Sequence, residues 1–519
     1  MIKVNNVTLS LKKGKKIVEN LNFILNENDK LAIIGEEGNG KSTLLKLFYD
    51  DSMVESYCHF TGDISLKKKE IGYLPQMMDV NWNFFSAEEF LLKKDLFSDI
   101  EYEQYENFYK IEKLFDEYEL DLNILNNKRL INHLSGGEKI KLQLIKLMIH
   151  QPKLYLLDEP TNDLDIQTIE LLEKFLLCTS TPIIFISHDE TLLTKTANMI
   201  LHLEQIHQKS IMRFTFTKVN YQTYCATRES LIAKQNAEAY RTSKEKERKR
   251  QILLRQHQLV ENDLNRAVRQ PEWGRLLAKK MKNILAQEKK LDQMEVVEKL
   301  EVEDEINLFF SKDITLPKEK IILNIQNGIL KLNEVVLANP IHLLVKGREH
   351  VTIIGRNGCG KTTLLKQILN ELKQTKNIHV GYMPQNYDEE LNIDITPLNY
   401  LQKSLGYDQN TKNKIMTCLG ALNFAEFESN LPIFKLSGGQ KAKLFLLNLV
   451  LNQYDVLILD EPTRNLSPLS TPIIRRILKE FKGTIFSVSH DRKYIFEVSH
   501  KVYSLNKNGL FEVKIDHFS

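Results

Sequence analysis

The chain has 519 residues, of which 42% are hydrophobic and 27% charged, and its formal net charge is +3. This composition is ordinary for a soluble globular protein, and the length predicts two to four domains. We expect neither a membrane span nor a secretory signal, because the sequence holds no run of about 18 apolar residues and its start has no apolar core. Five scattered cysteines favour a reducing cytosol over a disulfide framework or a zinc site.

The first chemistry-bearing motif is GEEGNGKST at residues 35–43. Residues 31–34 before it are predicted to form a strand, and residues 42–48 after it a helix, which is the setting of a phosphate-binding loop. Its glycines allow backbone N–H groups to approach phosphates, Lys41 would reach the β- and γ-phosphates, and Ser42 would ligate Mg²⁺. The candidate nucleotide-binding residues are Gly35, Gly38, Asn39, Gly40, Lys41, Ser42 and Thr43.

Further along the first half, an apolar run at Leu154–Asp158 is predicted to be a buried strand that ends in an acid. Asp158 is placed to hold Mg²⁺. Glu159 follows at once, and strand alternation would point it to the opposite side, where it polarises the attacking water. His188 follows the apolar run Ile183–Ile186 and is expected to contact the γ-phosphate.

The middle of the chain is predicted to form a helical hairpin, the arm. Residues 212–270 and 275–316 contain neither Gly nor Pro, and residues 270–274 read Gln-Pro-Glu-Trp-Gly, a turn signal. The expected helices are residues 224–265 and 276–303, about 60 and 40 Å long. The expected apolar seam contains Leu253, Val260 and Leu264 on one helix and Leu277, Met281, Ile284, Leu291 and Met294 on the other.

The arm carries an unusual charge. Residues 241–290 hold 15 Lys or Arg against 6 Asp or Glu, a net of +9, so the rest of the chain sums to −6. A cationic tip on a long arm suits a phosphate-rich partner, and the lack of a broad exposed apolar face favours RNA over lipid. Trp273 either stacks on an RNA base or packs the hairpin end. The candidate RNA contacts are Arg266, Arg269, Trp273, Arg275, Lys279, Lys280 and Lys282.

The second half repeats the motifs of the first in the same order, which establishes a duplication. Lys41 and Lys361 are 320 positions apart, whereas Asp158 and Asp460, like His188 and His490, are 302 apart. The first copy therefore has 18 extra residues after its lysine, and 11 of them precede Gln76, the counterpart of Gln385. Residues 351–354, Val456–Asp460 and Thr484–Val488 are the predicted strands and 362–369 the predicted helix. The candidate residues of this copy are Gly355, Asn357, Gly358, Cys359 (a small neutral filler), Gly360, Lys361, Thr362, Thr363, Asp460 (Mg²⁺), Glu461 (water) and His490 (γ-phosphate).

Together the motifs resemble the ATP-binding cassette superfamily, an α/β fold. Gln76 and Gln385 match its Q-loop, which the resemblance places near Mg²⁺. Its signature is matched by Ser135, Gly136 and Gly137 and by Ser437, Gly438 and Gly439. The resemblance implies a head-to-tail pair of cassettes that hydrolyse ATP, each ATP lying between the phosphate loop of one cassette and the signature of the other.

Two cassettes joined by a charged helical linker resemble the ABC-F proteins over nearly the full chain. The residues past Leu300 turn acidic and mark the end of the arm, so we expect a first cassette at residues 1–220, a linker at 221–305 and a second cassette at 306–519. The resemblance also implies a cytoplasmic monomer that does not bind a membrane. It would bind the ribosome near the tRNA exit site and direct its linker at large-subunit rRNA and the exit- or peptidyl-site tRNA. Some members protect ribosomes from antibiotics, and others are general translation factors.

The chain departs from the family pattern in three ways. Neither residues 9–16 nor 328–337 contain an aromatic residue to stack on adenine, which leaves GTP as an alternative to ATP. Ser467 stands where the first copy has Asp165, at the expected cassette contact, so the two sites need not be equivalent. Finally, we expect the chain to differ from some relatives in having no long basic C-terminal extension.

Two other classes of ATPase compete with this interpretation. An energy-coupling transporter subunit would need membrane partners and gives a basic hairpin no role. A DNA-remodelling ATPase would carry a far longer coiled coil between phosphate loop and signature, where this chain has intervals of 94 and 76 residues.

Overall fold

The computed structural model describes residues 2–12, 14–93, 96, 108–126, 129–162, 164–206, 211–266, 271–294, 297, 299, 310, 316–375, 378–391, 394–422 and 424–518. The chain divides into two compact units. One combines Met1–Tyr221 with Glu303–Ser519 and holds both cassettes, and the other is the arm, Gln222–Val302. Among the described residues, no helix has both the length and the apolar composition that crossing a membrane demands.

The first cassette is built on a six-stranded sheet of order β5-β6-β7-β3-β8-β9, parallel except for β9. Its three central strands are buried throughout and apolar in sequence, as parallel strands covered on both faces are. The strands are β1 (Ile2–Leu11), β2 (Lys16–Leu25), β3 (Lys30–Ile34), β4 (Cys58–Ile64), β5 (Ile71–Leu74), β6 (Leu154–Asp158), β7 (Ile183–Ile186), β8 (Met199–Ile206) and β9 (Ile211–Thr217). The helices are α1 (Lys41–Tyr49), α2 (Ala87–Leu92), α3 (Phe108–Glu117), α4 (Asn123–Asn126), α5 (Gly136–His150), α6 (Ile166–Cys178) and α7 (Glu190–Thr196).

The arm follows, with helices α8 (Tyr221–Arg266) and α9 (Pro271–Asp292). The second cassette then repeats the architecture of the first, with a sheet of order β13-β14-β15-β12-β16-β17. Its strands are β10 (Ile321–Leu332), β11 (Val335–Lys346), β12 (His350–Ile354), β13 (Val380–Met383), β14 (Val456–Asp460), β15 (Thr484–Val488), β16 (Lys501–Asn506) and β17 (Gly509–Val513). Its helices are α10 (Lys361–Gln374), α11 (Pro397–Leu405), α12 (Gln409–Ala421), α13 (Glu426–Ser429), α14 (Gly438–Leu451), α15 (Thr471–Lys479) and α16 (Arg492–Val498).

The fold predicted from the sequence, two α/β cassettes with a helical linker, is confirmed. The strands and helices around both phosphate loops lie within one residue of their predicted starts. The extra residues before Gln76 also have a structural counterpart. Strand β4 lies in that interval and pairs with β1 in a three-stranded sheet, whereas β10 and β11 of the second cassette form a two-stranded one.

The arm differs from its prediction at the hairpin end. Helix α9 begins at Pro271, so Glu272, Trp273 and Gly274 belong to its first turn and not to a connecting turn. Proline is favourable at the first helical position, because the N–H that it lacks has no partner there in any helix. The helix ends at Asp292, well before the predicted end at residue 303. Gln270 lies outside the described residues.

The apolar seam of the arm forms much as predicted. Leu253, Ile284 and Leu291 are buried together, with Val260 and Met294 packed against them. Polar contacts flank this cluster within the arm. The Lys246 ammonium donates to the carbonyl of Met294 at 2.9 Å, and the His257 ring lies 3.1 Å from the Glu288 carboxylate. Helices α8 and α9 therefore pack as an antiparallel pair.

Candidate functional site

The first phosphate loop connects β3 to α1 through glycines in left-handed conformations. Gly40, with φ of 87°, precedes the helix, and the ammonium of Lys41 turns back to the carbonyls of Gly35 and Glu36 at 2.8 and 3.0 Å. The hydroxyl of Ser42 donates to Asp158 at 3.0 Å. The Lys41 ammonium thus lies against the backbone of its own loop, and Ser42 joins the loop to the end of β6.

The second loop, between β12 and α10, repeats these contacts. Lys361 donates to the carbonyls of Gly355 and Arg356 at 2.8 and 3.1 Å. The hydroxyl of Thr362 donates to Asp460 at 2.7 Å. In both cassettes, a hydroxyl and a carboxylate from distant parts of the sequence therefore meet. Oxygen donors of this kind suit Mg²⁺, so the residues present fit that ion.

The glycines of each loop have two different roles. A Cβ at Gly40 would lie 2.8 Å from Ile17, and one at Gly360 would lie 2.8 Å from Leu337, so these glycines permit close packing under the loop. A Cβ at Gly38 or Gly358 would meet no atom within 4 Å. These two glycines face open space, as a cradle for a phosphate requires.

Two other loop residues have buried side chains. Asn39 is 2% exposed and donates its side-chain amide to the carbonyl of Leu203 at 2.9 Å, which ties the loop to β8. Burial raises the pKa of the Cys359 thiol and outweighs the nearby Lys361 ammonium, so this residue is a neutral filler.

Glu159 and Glu461 are oriented by the backbone rather than by strand alternation, and the sequence interpretation was wrong in this respect. Strands β6 and β14 end at Asp158 and Asp460, and the glutamates that follow adopt φ values of 51° and 54°. Residues other than glycine rarely adopt such angles, and when they do they cluster at functional sites.

Glu159 lies at the centre of a polar cluster. It accepts from Gln76 at 2.9 Å and from Asn162 at 2.5 Å, and its other oxygen is 3.3 Å from His188. Burial opposes the charge of Glu159, but His188 and the hydrogen bonds outweigh burial and lower the pKa of its carboxyl to about 2. The neighbouring Asp158 is affected in the opposite direction, because burial and Glu159 raise its pKa to about 6.

Glu461 has a different environment from Glu159. It accepts from the backbone N–H of His490 at 3.3 Å, and the His490 ring is 3.7 Å away. Burial and the adjacent Asp460 raise the pKa of the Glu461 carboxyl well above its usual range. Burial and the Lys361 ammonium lower the pKa of His490 to about 3, so its ring is neutral at pH 7. The two copies therefore differ in electrostatics although both have the Asp-Glu pair and the following histidine.

A cavity of about 590 Å³ lies between the two cassettes at the second phosphate loop. Its walls come from both halves of the chain. The second cassette contributes Asn357, Gly358, Gly360, Lys361, Thr362, Thr363, Gln385, Asp460, Glu461 and His490, and the first contributes Ser135, Gly136 and Gly137. Most of the residues predicted for this site are thus brought together in one cavity, whereas Gly355 and Cys359 do not line it.

The first phosphate loop contacts the signature of the second cassette directly. The carboxylate of Glu37 accepts from the backbone N–H of Gly439 at 2.5 Å, and the His188 ring is 2.5 Å from the carbonyl of Leu466. Glu36 contacts Ser470 and Lys443 at 2.6 and 3.1 Å. Glu36 and Glu37 were not among the predicted site residues, although GEEG in the first loop differs from GRNG in the second at these two positions.

Both signature serines have a local structural role. Ser135 and Ser437 precede α5 and α14 and accept from the backbone N–H three residues later, while Glu138 and Gln440 reach back to the serine N–H. These capping boxes hold the first turn of each helix. The N–H groups of the following glycines remain directed out of the helix start.

The candidate RNA-contact residues lie on the arm. Arg266 ends α8, and Trp273 and the four basic residues of α9 that are candidate contacts are exposed, Trp273 by 49%. Within the described part of the chain, no ion pair involves these basic side chains. Arg269 lies outside the described residues. The described candidates are Arg266, Trp273, Arg275, Lys279, Lys280 and Lys282.

Comparison with known proteins identifies the family. The ABC transporter family model matches the chain twice, at residues 18–162 and 338–464. ATP-binding protein Uup of Buchnera aphidicola is 28% identical over 100% of this chain and 82% of its own length. ABC transporter F family member 2 of Arabidopsis thaliana is 27% identical over 99% and 78%. Ribosome protection protein VmlR of Bacillus subtilis is 28% identical over 98% and 87%.

A solved structure agrees with the fold. RNase-L Inhibitor has a TM-score of 0.58 at 16% identity, over 95% of this chain and 88% of that one. The two family matches cover more than half of the sequence, and relatives of the F family align over almost all of it. The chain therefore belongs to the ABC transporter family of ATP-binding domains and, within it, to the ABC-F group of tandem cassettes.

Proposed function

We propose that the chain is a cytoplasmic ATPase with two composite sites. The first site combines Lys41, Gln76, Glu159 and His188 with the signature at residues 437–439. The second combines Lys361, Gln385, Glu461 and His490 with the signature at residues 135–137. The cavity that carries residues of both cassettes supports the second pairing. The Glu37–Gly439 contact supports the first.

The proposed chemistry is the hydrolysis of ATP to ADP and phosphate. Lys41 or Lys361 and the amides of each loop hold the phosphates, and the opposite signature completes the anion site. Glu159 and Glu461 orient the attacking water, and His188 and His490 contact the γ-phosphate. Ser42 with Asp158, and Thr362 with Asp460, would hold Mg²⁺, with Gln76 or Gln385 nearby, and the ion would neutralise charge on the phosphates.

We propose that the partner is the ribosome, approached near the tRNA exit site. The arm supports this, because Arg275, Lys279, Lys280 and Lys282 project from one short stretch of an exposed helix. A cluster of this kind binds a phosphate backbone by releasing counterions. Large-subunit rRNA and the exit- or peptidyl-site tRNA are such partners, and Trp273 is exposed enough to stack on a base.

The finer role that we propose is ribosomal protection, which would give resistance to antibiotics of the large subunit. The name of VmlR, to which this chain is similar over nearly its full length, supports that role. A general translation factor of the same group is the alternative. Growth of an expressing strain on large-subunit antibiotics separates the two, because a general factor would not raise the inhibitory concentration.

The primary test uses the double variant Glu159→Gln and Glu461→Gln. Both changes remove a carboxylate that orients water, so hydrolysis should fall by at least about 10²-fold while ATP binding persists. We expect this protein to co-sediment with ribosomes in the presence of ATP and to stay in the supernatant without it. A supernatant result in both conditions would contradict the ribosome as partner, and pelleting with membranes would then be tested.

A second variant in the same background tests the arm. Reversing Arg275, Lys279, Lys280 and Lys282 to Glu should abolish co-sedimentation. The matched control reverses four exposed lysines of the second cassette, so the change in net charge is identical. These lysines are Lys479, Lys482, Lys507 and Lys514. Equal losses in the two variants would show that net charge, and not the arm, determines binding.

A further inference from the structure

The first phosphate loop carries two acids where the second carries a base and an amide. Glu36 and Glu37 correspond to Arg356 and Asn357. A loop that cradles phosphates is an unfavourable place for carboxylates, because like charges repel at short range. The position of both side chains in the fold therefore needs an explanation.

Glu36 is fixed by the other cassette. It is 8% exposed, accepts from the Ser470 hydroxyl at 2.6 Å and lies 3.1 Å from the Lys443 ammonium. Burial opposes its charge, but Lys443 and Ser470 outweigh burial and lower the pKa of the carboxyl to about 2. Glu36 is thus an anchored anion that holds this end of the loop against helix α14.

Glu37, the next residue, is directed at the signature. Its carboxylate accepts from the N–H of Gly439, in the first turn of α14. A Cβ at Gly438 would lie 2.9 Å from the same carboxylate oxygen, so the contact is close on both glycines. N–H groups in the first turn of a helix have no partner within the helix and attract anions.

The second site has a different arrangement. Gly137, the counterpart of Gly439, lines the cavity together with Lys361 and Asn357. Arg356, the counterpart of Glu36, pairs with Glu119 at 2.7 Å. The counterpart of Lys443 is Lys141, so the anchoring pair of the first site corresponds here to two cations. The second signature-and-loop pair therefore carries neither of the two acids.

We propose that Glu37 is a specificity-determining residue of the first site, where its carboxylate occupies the signature amide that a γ-phosphate would use. ATP must displace this internal anion, whereas ADP, which has no γ-phosphate, need not. The first site therefore binds ATP more weakly than the second, and it discriminates less between ATP and ADP. This inference rests on the proposed pairing of each phosphate loop with the opposite signature.

The test is calorimetric titration of Mg·ATP and of Mg·ADP into the full-length Glu159→Gln, Glu461→Gln protein. We expect two ATP classes of one site each, with affinities that differ by at least about tenfold. Adding Glu37→Asn introduces the residue that the second loop has at this position. It should raise the ATP affinity of the weaker class toward that of the stronger one and leave ADP affinity unchanged. The reciprocal change Asn357→Glu should weaken the stronger class.

Glu37→Gln separates the effect of the negative charge from that of the hydrogen bond. The glutamine side-chain carbonyl can still accept from the N–H of Gly439, but it carries no charge. We expect it to tighten the weaker class by less than Glu37→Asn does. Two equal ATP classes in the parent, or no change with Glu37→Asn while ADP still binds, would overturn the role of Glu37 and leave the ATPase proposal standing. Absence of any ATP binding would overturn both.

Discussion

Glu173 in helix α6 accepts a hydrogen bond from the guanidinium of Arg492 in helix α16, 319 positions along the chain, and both side chains are buried. A second contact of the same kind lies nearby, where Glu190 of the first cassette accepts from Arg475 of the second at 2.8 Å. Since the motifs repeat at an interval of 302, Glu173 corresponds to Arg475 and Glu190 to Arg492. Equivalent positions thus carry opposite charges and pair crosswise.

The same division of charge, with acids on the first cassette and bases on the second, extends over the rest of the interface. Every ion pair that joins the cassettes within the described residues has its acid on the first cassette and its base on the second. The remaining pairs are Glu36–Lys443, Glu119–Arg356, Asp189–Arg492 and Glu190–Lys493. Glu119–Arg356 is exposed, but the pairs of Glu173 and Glu36 are buried, and a buried charge without its partner is costly.

The first prediction is that Glu173 and Arg492 are energetically coupled. In a double-mutant cycle of Glu173→Gln and Arg492→Gln, we expect a coupling of about 1–3 kcal/mol, measured by thermal unfolding of the full chain. The exposed pair Lys16–Glu19, 2.7 Å apart, serves as the control and should couple by less than about 0.5 kcal/mol. Similar values for the two pairs would contradict a specifying role for the buried one.

The second prediction concerns the pH dependence of Glu36. Its pKa in the folded chain, about 2, lies below the ordinary value of 4.5, so its pairing stabilises the fold fully above pH 4.5 and progressively less as the pH falls toward 2. Glu36→Gln should lower the melting temperature at pH 7, and the difference from the parent should shrink below pH 4.5. A difference that stays constant with pH would refute an ionic contribution.

The third prediction separates backbone strain from phosphate binding. Gly358 and Gly14 have φ values of 78° and 87°, and a Cβ at either meets no atom within 4 Å. Alanine at either position should cost about 1–2 kcal/mol of stability. Gly358→Ala should in addition abolish ATP binding at the second site, because its Cβ enters the phosphate cradle. Melting curves measure the loss of stability, and calorimetry measures ATP affinity. Equal ATP affinity in the two variants would contradict a phosphate-binding role for Gly358.

The fourth prediction concerns the seam of the arm. Leu253 is buried between α8 and α9, whereas Leu259 on the same helix is 65% exposed. Leu253→Ala should destabilise the arm by about 2–5 kcal/mol and raise amide hydrogen exchange along both helices, while the cassette amides are unchanged. Leu259→Ala is the control and should leave exchange as in the parent. Equal protection in both variants would contradict the seam.

The sequence predicted those features that depend on local pattern. Motif order located the strands that end at Asp158 and Asp460, and heptad spacing located Leu253 and Ile284. It failed where the outcome depends on how distant segments meet. No local pattern shows that Glu36 faces Lys443. The sequence predicted a turn at Pro271, whereas helix α9 begins there. Proline can either interrupt a helix or occupy its first position, and the neighbouring residues do not distinguish these two roles.

The crosswise charges have a consequence for which halves of the chain can associate. Two first cassettes brought together in the native orientation would place Glu173 of one against Glu190 of the other, and two second cassettes would oppose Arg475 and Arg492. Like charges at these positions therefore disfavour a pair of first cassettes, or a pair of second cassettes, relative to the native pair. The halves of a duplicated protein are in this way kept from assembling with their own kind.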